Sequence, residues 1–273
     1  MCSDPFIVIS APNGARRERA QHPKLPITPV ELAECAEDVL EAGASIMHVH
    51  VRDETEGHSL DAREYRDAMH AIRDRVGDEL VIQITTEACD IYTPQQQREL
   101  VCELRPEAVS IALRELLPHP GLEDELGRFS EWIRENGVTA QYILHTPDDV
   151  ARYSDLRDQG ILGEESNFVL FVLGSYSMGI EGQPDDIQNY RRNLSDDAVV
   201  WAACCFGPHE NEAAGIAAGN SGHARVGFEN NLNMPDGTLA LDNAALVRLA
   251  VQHGLDAGRP IANARQVRAL FAI

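Results

Sequence analysis

The chain has 273 residues, 44% of them hydrophobic and 25% charged, so it is long enough to bury a large core and too apolar to be disordered. Its formal net charge of -21 repels a phosphate backbone or an anionic membrane over most of the surface, so nucleic acid and membrane are not expected partners. No stretch approaches the roughly 20 apolar residues of a membrane span, and no basic region precedes the short apolar run at the N-terminus, so a soluble, cytoplasmic protein is expected.

Apolar runs of strand length recur along the chain, at residues 6–11, 45–52, 80–86, 108–113, 139–145, 168–174, 198–206 and 224–229. The segments between them read as helices. Thr28 is an N-cap with Pro29 at the first helical position, and that helix runs out at Gly43. Thr93 and Pro94 repeat the same start, and the stretch "DNAALVRLAVQHGLDAG" has apolar residues at helical spacing and stops at Gly258. Strands alternating with helices imply a parallel sheet, and eight such units in this length predict a (β/α)8 TIM barrel, a single domain over residues 1–273. No G-x-G-x-x-G follows the first strand and no G-x-x-x-x-G-K-[ST] occurs, which argues against a nucleotide site of either kind.

The six cysteines (Cys2, Cys35, Cys89, Cys102, Cys204 and Cys205) form no C-x-x-C pair and read mostly as small buried thiols. Lys24 is the only lysine, and it sits in the Pro-flanked stretch "QHPKLPITP", where a loop is expected. A Schiff base at a barrel centre needs a buried lysine amine. Carbonyl chemistry in this chain would therefore use a metal.

Residues 45–52, "SIMHVHVR", place two histidines one residue apart near the end of the second strand. Alternation puts His48 and His50 on one face, at the C-terminal end of a barrel strand, where catalytic groups gather. Two imidazoles from one rigid element begin a site for zinc or another divalent cation, although a pair of hydrogen-bonded core histidines would give the same pattern. In "HARVGFENN" the same period-two reading puts Arg225 and Glu229 on one face of the last strand. Since the eighth strand of a closed barrel adjoins the first, Glu229 is the expected third ligand, and Arg225 would hold a carboxylate or orient a neighbouring acid.

These residues, with "APNGARRERAQHPKLPITPVELAECAEDVLEAGASIMHVHVRD", "VIQITT", "FVLG" and "GHARVGFENNL", make the chain resemble the β-keto acid cleavage enzyme family. The resemblance implies a (β/α)8 barrel in a homo-oligomer, a dimer or tetramer. It also implies a divalent metal, normally Zn2+, on His48, His50 and Glu229. The reaction it implies joins a small-molecule β-keto acid with acetyl-CoA as co-substrate and yields acetoacetate and a new acyl-CoA. Catalytic positions fall on Arg225 and Asn230, and substrate contacts on Asn13, Arg16, Thr85, Thr86 and Ser110.

Several positions depart from that pattern. The family usually carries Glu-Asp-Asn where this chain has Glu229, Asn230 and Asn231, and an amide cannot take up a proton as a carboxylate does. Another base would then be needed, from among Asp53, Glu87, Glu115 and His145. Arg16 stands where the 3-keto-5-aminohexanoate type has a glutamate suited to an ammonium group, which points to an anionic or neutral polar substrate tail rather than an amino-bearing one. An ordinary solvated arginine beside Arg17 would read the same way. Glu87 and Ala88 replace the usual glycines after the third strand, Ala112, Arg114 and Glu115 stand where an asparagine and small residues are usual, and Gln141 replaces a glutamate. With the pocket so altered, a coenzyme-A-independent metal hydrolase or lyase and a non-catalytic metal-bearing barrel stand as alternatives to the acyl exchange.

Overall fold

The computed structural model describes residues 4–176, 178–196 and 198–273; Cys2 lies outside them. The eight apolar runs become eight parallel strands closed into a barrel: β1 (Val8–Ser10), β2 (Ile46–Val49), β3 (Val81–Thr85), β4 (Ala108–Ala112), β5 (Thr139–Leu144), β6 (Phe168–Leu173), β7 (Val200–Cys205) and β8 (His223–Val226). Closure runs through β1, where Ile9 lies beside Arg225 on one side and beside Ile46 on the other. The expected (β/α)8 barrel is the observed one.

Helix starts follow the local chemistry. Thr28 and Thr93 cap helices Pro29–Glu41 and Pro94–Leu104, each in a reciprocal capping box with the residue three positions on, Glu31 and Gln96. Thr146 does the same for Pro147–Asp158, and Asp242 caps Asn243–Asp256. Among the described residues no helix is long and apolar enough to cross a membrane.

Side chains inside the barrel change character along its axis. Near the N-terminal ends of the strands Ile7, Ile46, Val81, Ala108 and Phe168 form an apolar floor, sealed by the last helix, Ala264–Phe271, whose Phe271 stacks on Phe168 at 4.5 Å. Arg268 of that helix and Arg73 both bind Glu107 beneath the floor. Further up, the inward positions become His48, Gln83, Gln141 and Arg225, all buried. Polar groups in a barrel core need partners or a ligand.

Two strands end sooner than their apolar runs. β2 stops at Val49, and Val51–Arg52 leaves the barrel to pair antiparallel with His58–Ser59. The reason is a side chain: Asn13 takes both backbone groups of His50, donating Nδ2 to its carbonyl (2.9 Å) and accepting its N–H on Oδ1 (3.4 Å). β8 stops at Val226 because Gly227 turns the chain at φ 139, with its N–H given to Glu210 Oε1 at 3.0 Å. Glu229 therefore sits on a turn rather than on the strand face that alternation predicted.

Candidate metal centre

His48, His50 and Glu229 meet at the C-terminal mouth of the barrel. The two Nε2 atoms are 3.0 Å apart, and Glu229 Oε2 is 3.5 Å from each. Zinc ligands at roughly 2.0–2.2 Å in tetrahedral geometry stand about 3.3–3.5 Å from one another; the two Glu229 edges match that and the 3.0 Å histidine edge is slightly short of it, so the triangle is close to the size a divalent cation requires. Hydrogen bonding agrees with that fit. His48 Nδ1 faces Gln83 Oε1 at 2.9 Å, which places the ring proton on Nδ1 and leaves the Nε2 lone pair free. Gln83 is itself fixed by donating Nε2 to Gln141 Oε1 at 3.1 Å. Glu229 Oε2 is buried with no hydrogen-bond partner, an orphan that a cation would satisfy.

Electrostatics hold His48 and Glu229 in the form a cation would need. Burial pulls the His48 imidazole down to about 3, against the smaller pull of Glu229, so it is neutral at ordinary pH. For Glu229 burial works upward, but the Arg225 guanidinium and the two histidines outweigh it and hold the carboxyl well below the usual range. Arg225 Nη2 binds Glu229 Oε1 at 3.0 Å. That contact leaves the other carboxylate oxygen turned to the histidines.

The turn bearing Glu229 is clamped on several sides. Arg17 donates Nε to the Phe228 carbonyl (2.9 Å) and Nη2 to that of Asn230 (3.3 Å), while its guanidinium lies 4.4 Å from the centre of the Tyr176 ring. Gly14, at φ 62, lies so close that a Cβ there would meet Glu229 Cγ at 2.6 Å. Asn230 Oδ1 accepts from Arg225 Nη2 at 3.4 Å. Behind it stands Glu210, 3% exposed, which burial pushes up to about 8 against the hydrogen bonds of Gly227, Asn230 and Asn231.

A cavity of about 760 Å³ opens over the triad, and Arg16, Thr85, Glu87, Arg114, Glu115 and His145 help to line it. Of the expected substrate contacts, Arg16 and Thr85 are on its wall. Asn13, Thr86 and Ser110 are buried beneath it: Asn13 holds His50, and Thr86 donates its hydroxyl to the Ser110 carbonyl at 3.1 Å. Arg16 Nε lies 3.8 Å from Glu87 Oε1, and Glu87 Oε2 lies 3.9 Å from His50 Nδ1. Asp53 is away from the cavity, its carboxylate bound to Thr55 and Gly57 in an exposed turn. Glu115 Oε2 is taken by the Ala88 N–H and by Gln97 Nε2, both at 2.9 Å. His145 is pulled down to about 3, first by burial and then by Arg114 and Arg225.

Sequence spacing had not singled out Gln83, Arg17 as a clamp, or Glu210. Gln83 is an inward position one strand over from His48, and Glu210 follows the C-terminal end of β7, the end where the ligands gather.

Comparison with known proteins agrees with this geometry. The chain is 26% identical over 277 residues to a 3-keto-5-aminohexanoate cleavage enzyme of Fusobacterium nucleatum subsp. nucleatum, covering 99% of this chain and 98% of that protein. It is 25% identical over 279 residues to a 3-oxoadipate:acetyl-CoA acetyltransferase of Cupriavidus necator, covering 99% and 96%. Among solved structures, ObcA in its apo form matches the barrel with a TM-score of 0.68 at 18% identity, covering 92% of this chain and 66% of the longer ObcA chain, which is a likeness of fold. The model of the beta-keto acid cleavage enzyme family matches residues 5–273, nearly the whole barrel with both histidines and the glutamate, and the chain belongs to that family.

Proposed function

We propose that this chain, as a zinc enzyme, exchanges acyl groups between a β-keto acid and acetyl-CoA: R–CO–CH2–COO− and CH3–CO–S-CoA give CH3–CO–CH2–COO−, acetoacetate, and R–CO–S-CoA. The carrying observation is the convergence of His48 Nε2, His50 Nε2 and the unpartnered Glu229 Oε2 on one point at the base of the cavity. Zinc or a similar divalent cation at that point would act as a Lewis acid toward the keto oxygen. The protein's own groups do the rest. Gln83 orients the His48 imidazole, Asn13 fixes the backbone that carries His50, and Arg225 orients Glu229.

The proton leaving the carbon between the two carbonyl groups needs an acceptor on the cavity wall. Asn230 offers only an amide, and Glu115 Oε2 is already engaged. The place of Glu87 Oε2, on the cavity wall 3.9 Å from His50 Nδ1, supports a reading of Glu87 as that acceptor. The wall carries carboxylates as well as arginines, with Arg16 facing Glu87, but Arg114 has no ion pair among the described residues and is the cation left to meet a substrate. A substrate tail bearing a carboxylate or a neutral polar group suits that wall; an ammonium does not.

The test is new acyl-CoA formation from acetyl-CoA and a panel of β-keto acids, followed by mass spectrometry. His48→Ala should abolish it and Glu87→Gln should reduce it. Turnover that persists in His48→Ala would sink the metal role, and turnover without acetyl-CoA would favour the hydrolase or lyase reading. A homo-oligomer in solution is also expected, to be read by light scattering.

A further inference from the structure

Glu210 is a buried carboxylate that neither the ligand triad nor the cavity wall uses. It opens helix Glu210–Gly219 and lies behind the turn that carries Glu229. Its Oε1 accepts from the Gly227 N–H at 3.0 Å and from Asn230 Nδ2 at 3.3 Å, and its Oε2 accepts from Asn231 Nδ2 at 3.4 Å. Every hydrogen-bonding neighbour is a donor, which favours the ionised carboxylate against the burial that pushes it up to about 8, and the positive charge of a divalent cation on the triad would favour it further.

The contacts continue toward the metal ligands. With Nδ2 held by Glu210 and by the Arg225 carbonyl (3.2 Å), the Asn230 amide has one orientation, and its Oδ1 faces Arg225 Nη2 at 3.4 Å. That same Nη2 binds Glu229 Oε1 at 3.0 Å. The charges also count. Arg225 and Glu229 cancel, the imidazole of His48 and the amide of Asn230 are neutral, and a divalent cation on the triad would add two positive charges to a buried site. A negative charge behind Asn230 offsets part of that excess, at short range and in low dielectric.

We propose that Glu210 is a positioning carboxylate for this site: ionised, it balances the Arg225 side of the barrel interior and, through Asn230, fixes the guanidinium that aims Glu229 at the histidines. The geometry stands by itself, while the effect on turnover rests on the reaction proposed above.

Three full-length variants test it: Glu210→Gln, Asn230→Asp and the double exchange Glu210→Gln/Asn230→Asp. Each is compared with wild type for Tm after chelator treatment, for bound zinc, and for kcat and KM. Both single variants should melt lower, the first for want of the buried anion, the second because two carboxylates would face each other at the present 3.3 Å spacing. The double variant keeps one anion and should recover. In turnover, Glu210→Gln should lose about tenfold or more in kcat with little change in KM, the scale of outer-sphere partners of metal sites, and the exchange should restore most of it.

Additive losses of Tm in the double variant, or a Glu210→Gln protein with wild-type Tm and kcat, would overturn the proposal. If a single variant does not fold, a folded double variant supports it and an unfolded one refutes it. A wild type that forms no acyl-CoA sinks the reaction, and the Tm cycle then decides Glu210 alone.

Discussion

Gly14→Ala should damage the proposed metal centre without replacing any of its three residues. A methyl at this position would lie 2.6 Å from Glu229 Cγ and 3.1 Å from its Cβ. Glu229 is poorly free to yield, because Arg225 holds Oε1 at 3.0 Å and its own N–H donates to the Ala11 carbonyl at 3.1 Å. The left-handed backbone at φ 62 costs an alanine about 1–2 kcal/mol, to which forced overpacking adds about 1–3 kcal/mol, for a total near 2–5 kcal/mol. Gly160 supplies the control: its φ is 71 and nothing lies within 4 Å of a Cβ there, so Gly160→Ala carries the backbone cost alone. At roughly 2–4 °C per kcal/mol for a chain of this size, Gly14→Ala should melt several degrees below Gly160→Ala. Competition with a chelating dye should show its zinc affinity reduced by about tenfold or more. A Gly14→Ala protein that matches Gly160→Ala in both Tm and zinc affinity would refute the assignment of Glu229 as a tightly held ligand.

Gln83→Leu removes the acceptor that fixes the His48 tautomer and should weaken zinc binding by about 10–100-fold, with the fold retained by circular dichroism; unchanged affinity in a metal titration would contradict this. Arg114→Ala should raise KM for a β-keto acid with a carboxylate tail and leave that for a neutral tail nearly unchanged, and equal effects on the two would count against a charge-reading role. His58, His145 and His223 are each held down to about 3, by burial before any other cause, whereas an unfolded imidazole titrates near 6.5. Below 6.5 the unfolded chain thus binds more protons, so stability is full above that value and declines as the pH falls toward 3. The Tm of chelator-treated protein should fall steeply on acidification through that window, and His223→Gln should flatten the slope, since His223 Nδ1 must stay unprotonated to accept the Ile7 N–H; a flat Tm profile through pH 5 would exclude this account.

The barrel was readable because its signals are local: apolar runs of strand length, and threonine-proline helix starts at Thr28 and Thr93 that the structure repeats as capping boxes. His48 and His50 were readable for the same reason, being two residues apart on one element. Strand ends were less so, since β2 is cut short by Asn13, 37 residues away in sequence, and no run of neighbours announces that contact. Glu210 was hidden by a different effect. A glutamate opening a helix looks like an exposed acid favoured by the helix dipole, and only closure of the barrel buries it under the turn at 227–231. Arg17 reads as one more solvated arginine until the fold brings two carbonyls of that turn to its guanidinium.

The three groups of the proposed metal centre are anchored to different parts of the molecule. His48 is tied to the barrel frame through Gln83 and Gln141, whereas the segment after β1 reaches the other two: Asn13 grips His50, and Ala11, Gly14 and Arg17 bear on the turn of Glu229. Arg16, facing the cavity, belongs to that same short segment. One short stretch of chain thus both lines the pocket and supports two of the three groups, so its sequence constrains substrate contact and site geometry together, while His48 depends on the barrel frame alone.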